Sequence, residues 1–291
     1  MPPTHTITIP VRYDECDMYG HVNHANYLRY MQEGAFAASA AVGYDVKRYE
    51  ELGHYWLVHE SDVEYVAPLR YGDTVEVTTW VANFRRVRSR RAYELRRAGD
   101  GQLVARAHTD WVYLDRERQR PAPVPQEMIE AFRPDYEEQD PVSRRRFPTP
   151  PSPPPGQFTQ RRRVQWSDVD PTGHVNNAVY VSYLEDCAVR DAASRGWSMA
   201  RMMDEGGFGI VARRYRIRYR QQALLGDELE VATWISDVKR ATAVRHYTIH
   251  RLSDGELLTR ARALWVWVDS ESGRPTRIPE QFAADFAPNI V

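Results

Sequence analysis

The stretch VRYDECDMYGHVNHANYLRYMQE, starting at Val11, returns as VQWSDVDPTGHVNNAVYVSYLED, starting at Val164. A repeat of that length constrains the fold more than any bulk property, because each copy must bury a core of the same kind. The correspondence continues with one residue inserted in the second copy. Tyr71-Gly72-Asp73 matches Leu225-Gly226-Asp227, Trp80 matches Trp234, Tyr93 matches Tyr247 and Trp111 matches Trp265. Near the ends, Asp115 and Pro121 answer Asp269 and Pro275. A chain of 291 residues is long for one compact domain and suits two of ordinary size. The expected division is 1–133, a linker at 134–160, and 161–291. The linker contains PTPPSPPPG and lacks apolar periodicity, so it reads as a semi-extended connector rather than a third core.

Hydrophobic content of 42% with 27% charged residues excludes a disordered or fibrous chain. A net charge of −1 excludes a partner held by the field of the whole protein, so neither nucleic acid nor a membrane surface is expected. Two cysteines, Cys16 and Cys187, are too few for a disulfide framework and have no CxxC spacing or companion histidines, so no metal site is expected. Met1 to Pro10 has no apolar leader-like run, and no apolar stretch is long enough to span a bilayer. The expected location is cytoplasmic.

In the first copy, Thr6 to Tyr13 alternates like a strand, and Asn23 to Ala41 carries Tyr27, Tyr30, Met31, Ala35 and Ala38 at helical spacing. His54 to Val66, Thr74 to Val87, Ser89 to Arg97 and Leu103 to Leu114 read as four further strands, separated by glycine-containing or basic turns. One strand, one long helix and four antiparallel strands form an α+β arrangement, a helix on a curved sheet. Two such units pairing edge to edge would hide their sheet edges.

The segment Asp17-Met18-Tyr19-Gly20-His21-Val22-Asn23-His24-Ala25-Asn26-Tyr27 and its repeat from Asp170 resemble the 4-hydroxybenzoyl-CoA thioesterase branch of the hotdog superfamily, and the acyl-carrier-protein thioesterases related to it. The resemblance covers both copies end to end. It implies two tandem hotdog domains forming an intrachain pseudo-dimer, and hydrolysis of acyl-CoA or acyl-carrier-protein thioesters. No cofactor is implied beyond the coenzyme A or phosphopantetheine of the substrate, and a further homo-oligomer remains open.

Thioester hydrolysis needs an attacking group and a means of stabilising the oxyanion. Asp17 and Asp170, in the turn before each helix, are the candidates to attack directly or to act as general base on water. Gly20 and Gly173 remove bulk beside a helix start whose unpaired N–H groups favour developing negative charge. By the resemblance, the carbonyl-polarising amides belong to His24 and Asn177. His21 and His174 match a histidine that the carrier-protein enzymes use as a catalytic partner, where an asparagine stands two residues before it; here Tyr19 and Thr172 occupy that place. A structural alternative makes Asp17 a helix cap and His21 a turn residue. Asn23, Asn176, Tyr27 and Tyr180, recurring at the same spacing, are the expected substrate-binding side chains.

Two charge patterns complete the reading. Arg86 and Arg91 correspond to Arg240 and Arg245 around a β-turn, and guanidinium groups there suit the phosphates of coenzyme A or phosphopantetheine, or form a solvated basic hairpin. Arg214, Arg216, Arg218 and Arg220 alternate along a strand whose counterpart carries Glu60, Asp62 and Glu64, which leads us to expect antiparallel pairing of these strands across the two copies. Differences between the copies, with His24 against Asn177, Asn26 against Val179 and Glu33 against Asp186, lead us to expect unequal sites. Other readings are a non-catalytic acyl-CoA sensor, for which no DNA-binding segment is evident, and a hotdog hydratase or dehydratase, whose Asp-x-Asn-Pro-(aliphatic)-His pattern is not matched.

Overall fold

The computed structural model describes residues 3–133 and 146–291. The chain divides into two compact units, Met1–Arg146 and Phe147–Val291. The first part of the expected linker, residues 134–145, lies outside the described residues.

Unit 1 follows the order of the sequence pattern: β1 (His5–Pro10), α1 (His24–Ala41), a short α2 (Val46–Glu51), β2 (His54–Tyr65), β3 (Thr74–Arg85), β4 (Arg88–Arg97), β5 (Leu103–Asp115), the two-residue β6 (Arg120–Pro121) and α3 (Gln126–Phe132). All of the pairings are antiparallel, in the order β1-β3-β4-β5-β2, with β6 beside β5. Strand alternation has a visible result in β4, where Ser89, Arg91, Tyr93 and Leu95 turn inward and the intervening residues outward. The helix α1 lays Tyr27, Leu28, Met31, Ala35 and Ala38 against this inward face. Gly34 permits its close approach, since a Cβ there would sit 3.0 Å from Val77 on β3.

Unit 2 repeats the plan with β7 (Phe158–Arg163), α4 (Asn177–Ser194), β8 (Phe208–Tyr219), β9 (Glu228–Ser236), β10 (Thr242–Arg251), β11 (Leu257–Asp269) and α5 (Glu280–Phe286), in sheet order β7-β9-β10-β11-β8. The strand β7 begins three residues inside the segment expected to be linker. Its sequence FTQRRR has no apolar alternation, yet its backbone pairs with β9 from Phe158↔Thr233 to Arg163↔Glu228, so a polar edge strand was read as connector.

The short helices were not anticipated either. Neither α3 nor α5 has a side-chain cap, and both are held by tertiary packing. Met128 and Phe132 close a core with Tyr44, Phe84 and Tyr113, while Phe282 and Phe286 do so with Trp197, Phe208 and Trp267. Cys187 is fully buried on α4, and Cys16 is half-buried in the loop before α1. Among the described residues, no helix is long and apolar enough to cross a membrane.

Candidate active site

Each copy of the Asp-x-x-Gly-His-Val-Asn segment folds as a tight loop ending at a helix N-terminus. In unit 1, Cys16 bridges to Val22, the Asp17 amide donates to the His21 carbonyl at 2.8 Å, and the Gly20 amide donates to the Asp17 carbonyl at 2.9 Å. In unit 2, Val169 bridges to Val175, and the corresponding bonds from Asp170 and Gly173 are 3.1 and 2.9 Å. The turn places Gly20 at φ +69° and Gly173 at φ +84°. That left-handed backbone is the direct reason for glycine, since a Cβ at Gly173 would meet nothing within 4 Å.

A buried acid fixes each loop from below. Glu15 is 6% exposed and accepts a 2.6 Å hydrogen bond from the Tyr30 hydroxyl, while its carbonyl accepts from the Asn23 amide and the Asn26 side chain, both at 2.9 Å. Asp168 takes the same place under unit 2, bonded by the Tyr183 hydroxyl at 2.7 Å and the Gln165 amide at 2.8 Å. Burial, then the acid itself, pushes both tyrosine hydroxyls far above their ordinary pKa, so each acts as a fixed donor. The sequence reading missed these pairs. The signal was available in the repeat, where Glu15 aligns with Asp168 and Tyr30 with Tyr183.

The two aspartates occupy equivalent positions in different surroundings. Asp17 Oδ1 accepts from the Tyr19 amide at 2.9 Å and the His21 amide at 3.4 Å. Burial raises its pKa, partly offset by those two amides. Asp170 Oδ1 accepts from the Thr172 amide at 2.9 Å and the Thr172 hydroxyl at 2.5 Å, and its Oδ2 accepts from the Asn176 side chain at 3.1 Å. Thr172 Oγ1 also lies 3.2 Å from His174 Nδ1. Its one proton is committed to Asp170, so the ring Nδ1–H donates to Oγ1, and His174 Nε2 is the lone-pair nitrogen of the neutral ring. Thr172 stands where the resemblance leads one to expect asparagine, and its hydroxyl joins the acid to the imidazole.

The histidine of unit 1 is differently placed. His21 Nε2 is buried and has no hydrogen-bond partner among the described residues. Burial pushes its pKa down, and the nearby Arg70 pushes it further. The counterpart of Arg70 is Leu224, and His174 is shifted down by burial alone, with Asp170 acting the other way.

Asn23 and Asn176 serve as helix N-caps, accepting from the Ala25 amide at 3.0 Å and the Ala178 amide at 2.9 Å. His24 and Asn177 are therefore the first residues of α1 and α4, where no helix carbonyl precedes to accept their amides. Both are held from the sheet: Tyr65 donates to the His24 carbonyl at 3.3 Å, and Tyr219 to the Asn177 carbonyl at 3.0 Å.

Several expected binding residues lie elsewhere. Tyr27 and Tyr180 are 2% and 3% exposed, and their hydroxyls accept from the Leu69 and Ala223 amides at 3.1 and 3.2 Å. They are core residues, because the helical period that spaces them also turns them to the sheet. Arg91 and Arg245 are not in the turn but inside β4 and β10, on the inward face, at 6% and 7% exposure. Strand alternation withdraws them from any surface phosphate. Arg86 and Arg240 remain exposed at the turns.

The sequence model of the thioesterase-like superfamily matches residues 11–132 and again 164–286. YneP of Bacillus subtilis (strain 168), provisionally named an acyl-CoA thioesterase, is 32% identical over 113 residues, covering 39% of this chain and 81% of YneP. The chloroplastic palmitoyl-acyl carrier protein thioesterase of Arabidopsis thaliana is 24% identical over 222 residues, 72% of this chain and 50% of that protein, so the chain spans about half the length of this plant relative. The solved structure of the 12:0-ACP thioesterase from Umbellularia californica superimposes with a TM-score of 0.72 at 20% identity, covering 94% of each chain, which supports the double-hotdog fold. Both halves matching one family in register with the repeat settle the assignment: this chain is a member of the thioesterase-like superfamily that carries two copies of its hotdog domain.

Proposed function

We propose that the chain hydrolyses acyl thioesters of coenzyme A or of an acyl carrier protein, with the unit 2 loop as the principal hydrolytic site. The observation that carries this reading is the connected Asp170–Thr172–His174 chain beside the first amides of α4. Neutral His174 takes a proton on Nε2 from a water molecule as that water's oxygen bonds to the thioester carbon. Asp170 stabilises the resulting imidazolium through the Thr172 hydroxyl, the role an orienting carboxylate plays behind a catalytic histidine. The α4 N-terminus favours the oxyanion. The C–S bond then breaks, the thiolate takes the proton back from Nε2, and an acid and a thiol leave.

This assignment fixes the sign of the pH dependence. The neutral imidazole is the active form, and burial holds His174 below its ordinary value of 6.5. Thiol release should therefore rise with pH through a midpoint below 6.5 and level off above it. Thr172→Val, which removes the link, should lower kcat by roughly tenfold, the weight of one hydrogen bond, whereas Thr172→Ser should retain it. A pH-independent rate in His174→Gln supports the reading. An unchanged acidic limb in that variant contradicts it.

A further inference from the structure

The two units differ sharply at one buried ion site. In unit 2, Arg245 on β10 donates to Asp191 on α4 at 2.6 Å, Arg195 donates to the same carboxylate at 2.8 Å, and Asn289 at 3.0 Å. Asp191 is fully buried, and the Arg245 guanidinium lies 5.6 Å from the centroid of the Phe286 ring. Unit 1 keeps the arginine and lacks the acid. Arg91 stands for Arg245, Ala38 for Asp191 and Val42 for Arg195. The Arg91 guanidinium lies 5.5 Å from the centroid of Phe132, the counterpart of Phe286, so the arginine is in the same place. Arg91 is 6% exposed, burial pushes its pKa down, and among the described residues no carboxylate acts on it.

A guanidinium cannot discharge itself by losing its proton, and a buried cation without an anion is costly. Its planar fork matches a carboxylate in two parallel hydrogen bonds. The partly buried Val42 and Tyr49 and the buried Tyr44 belong to one apolar cluster with Phe132, so the surroundings of the guanidinium on that side are hydrocarbon. We propose that Arg91 is an internal carboxylate-binding site, taking the acid group of a molecule with an apolar chain. From His24 to Ala38 the helix rises about 21 Å at 1.5 Å per residue, which separates this site from the Asp17 loop of the same unit. Such a carboxylate has two sources: a free acid of the kind hydrolysis releases, or the far-end carboxylate of a dicarboxylic acyl thioester. Only the second rests on the thioesterase reading given above.

Calorimetric titration of the full chain with decanoate tests the site without requiring turnover. Ala38→Asp installs the carboxylate that unit 2 carries, and Arg91→Met removes the cation at similar volume. Both should weaken decanoate binding at least about tenfold, close to 1.4 kcal/mol, and leave binding of decanol unchanged. Ala38→Asp should also raise the midpoint of chemical unfolding, a readout independent of ligand. In a second arm, kcat/KM for octadecanedioyl-CoA and octadecanoyl-CoA, whose chains are long enough to span that distance, is compared in wild type and Arg91→Met. A loss confined to the dicarboxylic substrate assigns the far-end source, and a loss in decanoate binding alone assigns the free acid. Decanoate binding unchanged in both variants overturns the proposal. A chain that cleaves no thioester but binds decanoate through Arg91 would refute the hydrolase reading and leave this site standing.

Discussion

Asp170→Asn is expected to lower thioester turnover by about 10²- to 10⁴-fold, the range a positioned acid or base contributes. The substitution keeps shape and leaves an oxygen to accept from the Thr172 amide, so the loop should persist. It removes the negative charge that stabilises His174 once the ring is protonated, and the amide's NH2 would face the Asn176 donor that now bonds Oδ2. Asp17→Asn should cost less. In unit 1 the histidine nitrogen His21 Nε2 is buried without a partner among the described residues, and Arg70 opposes protonation of the ring. Steady-state thiol release measured on each single variant checks the ranking, and equal losses would show that both loops turn over substrate.

Asp191→Ala is expected to destabilise unit 2 by about 3–5 kcal/mol in chemical unfolding, because it strands Arg245 in the interior without its counterion. Arg195 would lose the same partner but is half-buried and can turn toward water. Adding Arg245→Met to Asp191→Ala should recover most of the loss, since buried ion pairs replaced as a unit by apolar groups are often neutral. The single variant reproduces in unit 2 the sequence that unit 1 already has, with alanine opposite arginine. Decanoate should then stabilise it more than it stabilises wild type.

The long elements were legible because periodicity and burial agree in them. The helix read at Asn23 to Ala41 is α1 with Asn23 as its cap, and each of the four later strands was placed within two residues of its ends. The short helices α3 and α5 were not legible, since seven residues without side-chain caps fold only once Phe132 and Phe286 find their cores. The loop carrying Asp17 and Asp170 could be located from the repeat, but its wiring could not. Whether Thr172 could replace an asparagine depends on a hydroxyl rotamer, and whether Arg91 faces solvent or core depends on strand register, which one residue reverses. Tyr27 and Tyr180 were misread for a related reason: recurrence marks a residue as needed in both copies without distinguishing a ligand contact from a staple to Leu69 or Ala223.

The central claim, that the Asp-x-x-Gly-His-Val-Asn loops hydrolyse acyl thioesters, is tested most directly by thiol release from a panel of acyl-CoA and acyl-carrier-protein thioesters, comparing wild type with the double variant Asp17→Asn, Asp170→Asn. Wild type should release thiol from at least one member of the panel, and the folded double variant should release it at no more than the background rate. Undiminished turnover in the double variant, or tight binding by wild type without any thiol release, would contradict the account.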